Sequence, residues 1–95
     1  MKFKENQYLI EITQYIHKTY QEHYAGRGGT QTFDVIASSG LGTGFCLGSV
    51  IKYSTRFGKK DGWNRNDLLK LIHYAILALY VFDLENDKIH GEDKC

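Results

Sequence analysis

Apolar residues recur every three or four positions through most of the chain, which is the spacing of an amphipathic α-helix. The first such segment runs from about residue 4 to residue 23, where Leu9, Ile12, Ile16 and Tyr20 share one face. The chain contains no proline, the residue that most often ends a helix. The pattern therefore predicts a long first helix.

Two further helices are predicted in the middle of the chain. Thr32 is expected to cap a short helix over residues 33–39. Thr43 is expected to cap a longer helix over about residues 44–57, and Gly58 suits the position that ends it. The glycine-containing segment between these two helices is expected to be a mobile connection.

The last predicted helix begins with Asp67 or Asn66 as its cap and runs to about Leu84. It is apolar around most of its circumference, which is typical of a helix at the centre of a bundle or of a subunit interface. Residues 85–95 lack apolar periodicity and are expected to form a mobile acidic tail.

These elements predict a single all-α domain over residues 1–95, with three long helices and one short helix. The chain is short, and aromatic residues make up 14% of it. Because a chain of this length buries only roughly 60–65% of its extended surface, some of that apolar surface is expected to lie between subunits. A homo-oligomer is therefore the expected assembly.

Charge is distributed unevenly although its sum is only +1. No acid occurs between Asp34 and Asp61, while four cations fall in that window: Lys52, Arg56, Lys59 and Lys60. A local cationic segment in a nearly neutral chain favours a small anion over nucleic acid, because DNA and RNA binders need a broad basic surface. Stable nucleic-acid binding is not expected.

The two cysteines, Cys46 and Cys95, form neither a disulfide framework nor a metal-ligand spacing. The N-terminal residues lack the apolar run of a signal peptide, and the longest apolar run is too short to span a bilayer. We therefore expect a cytoplasmic protein with no membrane partner. The carboxylates are scattered, so no metal site is expected.

A candidate anion site lies on the third predicted helix. Lys52 and Arg56 are four residues apart and share a face, Ser49 joins that face, and Gly48 leaves the backbone uncovered there. This combination suits a phosphate. The alternative is a surface helix with ordinary solvated cations.

The segment before residue 32 is rich in glycine and carries Arg27, Gly28 and Gly29. Such a loop offers backbone N–H groups to an anion, but its spacing matches neither the phosphate-loop nor the dinucleotide-binding fingerprint. The alternative is a plain turn.

Several short blocks occur in a recognisable order. They are His23-Tyr24, Gly28-Gly29, Phe33 to Ile36, Gly44-Phe45, Leu47-Gly48, Lys52-Tyr53, Arg56, Lys59 or Lys60, Asp67-Leu68, Lys70 and Tyr74. In these blocks, over about residues 22–82, the chain resembles a phage-associated family of small helical proteins. That family includes a nucleotide kinase without the usual phosphate loop. The chain has Ser49 where the family usually has Asn, which favours binding over catalysis.

The resemblance implies a nucleotide-phosphate site. Its expected residues are His23, Tyr24, Arg27, Gly28, Gly29, Gly48, Ser49, Lys52, Tyr53, Arg56, Lys59 and Lys60. Three functions stay open. In the first, a phage protein in the host cytoplasm holds a nucleotide or a nucleotide-derived signal, cyclic nucleotides included, without a cofactor and so counters host defence. In the second, it is a nucleoside monophosphate kinase in which Asp34 or Asp67 holds Mg²⁺. In the third, it is a structural interaction protein.

Overall fold

A computed structural model describes residues 2–24 and 29–91, and the side chains within residues 2–22 and 32–87. The described part of the chain is helical and contains no strand. Its four α-helices are α1 (Glu5–Thr19), α2 (Gly29–Ser38), α3 (Gly42–Arg56) and α4 (Arg65–Gly91). The all-α class and the number of helices are confirmed.

The first helix changes type near its end. It is α-helical to Thr19 and continues as a π-helical turn over Tyr20–Tyr24. The apolar spacing predicted one continuous helix to about residue 23. A π-helical turn has hydrogen bonds between residues i and i+5. The three-to-four spacing of apolar residues is that of an α-helix and does not reveal this change.

The boundaries around α2 and α3 differ from the predicted ones. α2 begins at Gly29, so Thr32 lies inside it and is not its cap. α3 begins at Gly42 after Leu41, so Thr43 is likewise internal. The connection is a tight turn in which Gly40 has a φ of 85°, and the Leu41 N–H donates to the Ile36 carbonyl. This 6→1 bond ends α2 in the way that a left-handed glycine permits.

The end of α3 is as predicted, whereas both ends of α4 differ from the prediction. Gly58 follows α3 with a φ of 84°, as predicted. Asn64 caps α4, because its side-chain oxygen accepts from the Asn66 N–H at 2.9 Å and its carbonyl accepts from the Asp67 N–H. Asn66 and Asp67 therefore lie in the first turn, and neither is the cap. α4 also extends to Gly91, past the predicted end at Leu84, so residues 85–91 are helical. The predicted mobility of the tail stays a prediction.

α3 and α4 form an antiparallel pair that carries the small core. Arg56 at the end of α3 lies beside Asp67 at the start of α4. At the other end, a Cβ on Gly42 would come within 2.9 Å of Val81. Ala37, Cys46 and Val81 are buried together, with Phe33, Leu77, Ala78 and Leu84 packed around them. The close approach of the two helices needs a residue without a side chain at position 42.

α1 packs on the first half of α4. Glu11 accepts two hydrogen bonds from the Arg65 guanidinium, at 2.7 and 2.5 Å. This pairing lowers the pKa of Glu11 and raises the pKa of Arg65.

Within the described residues, no single helix is long and apolar enough to cross a membrane. Thr32–Ser38 and α3 meet the length and composition criteria only as a pair bent by 118°.

Candidate functional site

Three cations surround one aromatic ring at the end of the helix pair where α3 finishes and α4 starts. The ring centroid of Tyr53 lies 5.2 Å from the Lys52 Nζ, 5.2 Å from the Lys70 Nζ and 5.7 Å from the Arg56 guanidinium carbon. Lys52 and Arg56 share a face because they are four residues apart on α3. Lys70 comes from the first turns of α4, which the antiparallel pairing brings alongside. We call Lys52, Tyr53, Arg56 and Lys70 the cationic cluster.

Arg56 is directed toward α4. Its Nε lies 3.4 Å from the Oδ1 of Asp67, and its second terminal nitrogen lies 4.0 Å from Asp61. The Asp67 side chain is 1% exposed. Neither Asp67 oxygen accepts a hydrogen bond from the side chains and backbone that the structure describes. The positive charge of Arg56 therefore compensates a buried carboxylate that is costly to leave unpaired.

Lys52 and Lys70 are the cations of the cluster that face no acid within the described residues. Lys52 is exposed and Lys70 is half-buried. Both ammonium groups lie 5.2 Å from the centroid of the Tyr53 ring, so they are at most about 10 Å apart. An anion placed between them would meet two positive charges.

Ser49 and Gly48 lie one turn before Lys52. The Ser49 hydroxyl donates to the Phe45 carbonyl at 2.8 Å. Its proton is therefore engaged within α3, and only its oxygen lone pairs are left for a ligand. Gly48 has no atom within 4 Å of where a Cβ would be. The surface beside Lys52 is thus open at this point, as the sequence predicted.

The remaining predicted site residues are placed less fully. Lys59 and Lys60 are exposed in the turn after α3, and the N–H groups of both donate to the Arg56 carbonyl. Gly29 begins α2. For His23 and Tyr24 only the backbone is described, and Arg27 and Gly28 lie outside the described residues. Their predicted role in the site stays a prediction.

An aromatic cleft adjoins the cationic cluster. It has a volume of about 520 Å³ and lies between the π-helical turn, α2, α3 and α4. Its lining consists of Tyr20, Thr32, Phe33, Asp34, Ile36, Phe45, His73, Tyr74, Ile76, Leu77 and Tyr80. A concave, largely apolar space with a few polar groups is the usual form of a small-molecule site.

Tyr74 connects the cleft to the cationic cluster. Its ring stacks on Tyr53, with centroids 5.9 Å apart and planes 11° apart, and meets Phe45 edge-on at 5.7 Å. Phe45 in turn lies 6.1 Å from Phe33, across the cleft. The aromatic contacts are therefore continuous from the cations to the cleft wall.

His73 is a buried polar group in the wall of the cleft. Burial lowers its pKa because desolvation disfavours the charged imidazolium. Its ring meets Tyr15 of α1 edge-on at 6.1 Å and lies beside Tyr74. His73 is therefore a neutral imidazole at neutral pH.

Acidic groups near the site are few. Asp34 lines the cleft and is exposed, Asp67 is buried against Arg56, and the exposed Asp61 lies 4.0 Å from the same guanidinium. In the part of the chain that the structure describes, no three His, Cys, Asp or Glu residues are grouped to hold a metal ion.

The α4 side of the site could also have been predicted from the sequence, but none of its residues was among the predicted site residues. Asp67, Lys70 and Tyr74 are spaced by three and four residues, so they share one face of a helix. All three belong to the blocks that carry the family resemblance. The cleft had no such signal, because its lining comes from three helices and the π-helical turn.

Comparison with known protein families gives a match. The sequence profile of a family described as a protein of unknown function (DUF3310) matches residues 18–76. These residues include the π-helical turn, α2, α3 and the first three turns of α4. Among curated proteins nothing matches, and among solved structures nothing matches.

Proposed function

The chain belongs to the DUF3310 family, and we propose that it binds a nucleotide or a nucleotide-derived molecule. In this proposal the phosphate lies between Lys52 and Lys70, and the base enters the aromatic cleft. The assembly is a homo-oligomer. The proposed biological role is that of a phage protein that sequesters a host-defence signal in the cytoplasm of the infected cell.

The observation that carries the proposal is the continuity of the cationic cluster with the cleft. Lys52 and Phe45 are seven residues apart on α3, which is about 10 Å along a helix axis. That separation is comparable with the length of a mononucleotide. A nucleotide offers an anion at one end and a flat aromatic ring at the other, and the Tyr74 ring lies between the two matching surfaces.

Binding without conversion is favoured by the placement of Asp67. Phosphoryl transfer needs Mg²⁺ held by carboxylates at the phosphates. Two acids lie beside the cationic cluster, the buried Asp67 and the exposed Asp61, and both face the Arg56 guanidinium. A metal ion at either carboxylate would have to compete with Arg56.

The second candidate is a nucleoside monophosphate kinase. One observation favours it: Asp34 is an exposed carboxylate in the wall of the cleft. If the phosphates enter the cleft and the base stacks outside it, Asp34 is positioned to hold Mg²⁺.

The test is to incubate the chain with separate nucleotides, remove unbound ligand, release what is retained by heat denaturation and identify it by mass spectrometry. Mono-, di- and triphosphates and cyclic nucleotides are compared. Retention of an unchanged nucleotide supports sequestration. Conversion of a monophosphate in the presence of ATP and Mg²⁺ supports the kinase. If no nucleotide is retained or converted, both proposals fail and the structural interaction protein is the function left.

Three variants locate the site. Lys52→Ala and Lys70→Ala are each expected to weaken retention about tenfold or more, because each removes one charge-assisted contact worth about 1.5–3 kcal/mol. Lys18→Ala on α1 removes the same charge outside the cluster, where Lys18 pairs with Glu22, and serves as the control. Equal retention by all four proteins would exclude the cationic cluster as the phosphate site.

A further inference from the structure

A second apolar stripe runs along α4 on the side away from α3. Its members are Leu68, Ile72, Ala75, Leu79 and Phe82, and all five are exposed. Their spacing of four, three, four and three residues is the a/d repeat of a coiled coil. We call these five residues the outer stripe.

The described chain covers the outer stripe only in part, because α4 meets α3 with a different set of residues. Leu79 and Phe82 are 65% and 61% exposed, and Leu68 and Ile72 are 39% and 38% exposed. Asp67, Tyr74 and Val81 contact α3 or the core that it shares with α4. They are spaced by seven, so they form one line along the helix. At 3.6 residues per turn, the centre of the outer stripe lies about 120° around the helix from this line.

The described chain has a small core for its length. Its buried hydrophobic residues are Ile12, Ala37, Cys46 and Val81. The Cα radius of gyration is 15.5 Å, whereas a compact chain of 95 residues is expected to have one of about 12 Å. The shape is thus open, and much apolar surface is left exposed to a partner.

We propose that the outer stripe is the contact surface between two copies of this chain, which pair antiparallel about a two-fold axis close to Ala75. The stripe is nearly symmetric about that residue: Leu68 and Phe82 lie seven residues to either side, and Ile72 and Leu79 lie three and four. A two-fold interface requires such self-complementarity, because each residue meets its counterpart in reverse order. The small Ala75 side chain allows the helix axes to approach closely where they cross.

The charges at the two ends of the outer stripe select the antiparallel orientation. Residues 59–66 carry Lys59, Lys60 and Arg65 with one acid, Asp61, and residues 83–88 carry Asp83, Glu85 and Asp87 with one cation, Lys88. The net charges of the two segments are therefore +2 and −2. Arg65 is bound by Glu11, so Lys59 and Lys60 are the cations that face a partner. Parallel pairing would bring the acids of both chains together. Antiparallel pairing brings acids beside cations, and such complementarity fixes orientation more than it adds affinity.

The first test compares two variants by light scattering at micromolar concentration. Leu79 in the outer stripe and Ile51 on the outer side of α3 are matched, with exposures of 65% and 66%. The unmodified chain and Ile51→Lys are expected to have twice the monomer mass, whereas Leu79→Lys is expected to have the monomer mass. Circular dichroism is used to check that each variant keeps its helices. A monomeric unmodified chain, or a Leu79→Lys variant that keeps the full mass, would overturn the proposal.

The second test determines the orientation by cross-linking with a short bismaleimide. The background carries Cys95→Ser, and Cys46 is buried in the core. In an antiparallel pair, the two copies of position 68 are about 21 Å apart along the axis. Leu68→Cys alone should therefore give no covalent dimer, whereas Leu68→Cys mixed with Phe82→Cys should give one. A covalent dimer from Leu68→Cys alone, or none from the mixture, would exclude this arrangement.

Discussion

The guanidinium of Arg56 lies against the carboxylate of Asp67, with Nε 3.4 Å from Oδ1. This contact joins the last residue of α3 to the first turn of α4. Asp67 is almost completely buried, whereas the Arg56 side chain is 24% exposed. The Arg56–Asp67 contact therefore fixes one end of the α3–α4 pair. It also engages Arg56, which the sequence predicted as a phosphate ligand.

The Arg56–Asp67 pair is expected to be structural. Arg56→Met should lower the free energy of unfolding by about 3 kcal/mol, because it leaves a buried carboxylate uncompensated. This is the lower end of the usual range, since Arg56 is partly exposed. The double variant Arg56→Met, Asp67→Leu removes both charges and should be more stable than Arg56→Met alone. Urea denaturation of the unmodified chain, the two single variants and the double variant measures the coupling.

The control is Lys52→Met, which removes a cation from the same face of α3 without an acid partner in the described residues. It should change stability by less than about 0.5 kcal/mol. If Arg56→Met is no more destabilising than Lys52→Met, the ion pair is not structural, and Arg56 stays a candidate phosphate ligand.

The close contact between α3 and α4 at Gly42 predicts a second stability difference. A Cβ on Gly42 would meet both Cγ atoms of Val81 at 2.9 Å and the Ala37 Cα at 3.3 Å. Gly42→Ala should therefore destabilise the chain by about 1–3 kcal/mol through overpacking. Gly44→Ala meets no atom within 4 Å and should be neutral or stabilising by up to about 1 kcal/mol. Thermal denaturation of both variants distinguishes the two effects, and equal melting temperatures would contradict so close an approach of the two helices.

Most of the helical fold was predictable because its signals are local. The three-to-four spacing and the absence of proline predicted every α-helix, and Gly58 predicted the end of α3. The boundary errors have physical causes. α4 continues past Leu84 because Glu85 and its neighbours permit a helix without an apolar pattern. Asn64, Asn66 and Asp67 are all residue types that favour the cap position, so residue type alone does not choose Asn64. Asp67 instead contacts Arg56, which is a tertiary contact.

The candidate site was predictable only on its α3 side. Lys52 and Arg56 share a face at a spacing that the sequence makes visible. Lys70 joins them because α3 and α4 are antiparallel with a particular register, which no local pattern specifies. The aromatic cleft likewise depends on how Phe33, Phe45 and Tyr80 converge from three helices.

The buried imidazole of His73 predicts a loss of stability in mild acid. Its pKa is lowered in the folded chain, so the unfolded chain takes up the proton first as the pH falls below about 6.5. The free energy of unfolding should then fall with decreasing pH, by at most about 1.4 kcal/mol per pH unit for this group. Glu11, whose pKa is also lowered, acts in the same direction, but only below its unfolded value near 4.5.

The measurement is urea denaturation at about pH 7.5 and about pH 5.5, above the range of Glu11. His73→Phe should reduce the difference between the two pH values. His17→Gln, at an exposed histidine of α1, is the control and should leave the difference unchanged. An undiminished pH dependence in His73→Phe would show that another group is responsible.

Gly48 offers a test that separates ligand binding from folding. A methyl group at this position meets no atom of the chain within 4 Å, and alanine in the middle of a helix is favoured over glycine by about 1 kcal/mol. Gly48→Ala should therefore raise the melting temperature. If the phosphate contacts the surface beside Lys52, the same methyl group should weaken nucleotide retention severalfold. Gly44→Ala, one turn earlier on α3, should leave retention unchanged. A Gly48→Ala variant that is more stable and retains nucleotide as well as the unmodified chain would place the phosphate elsewhere.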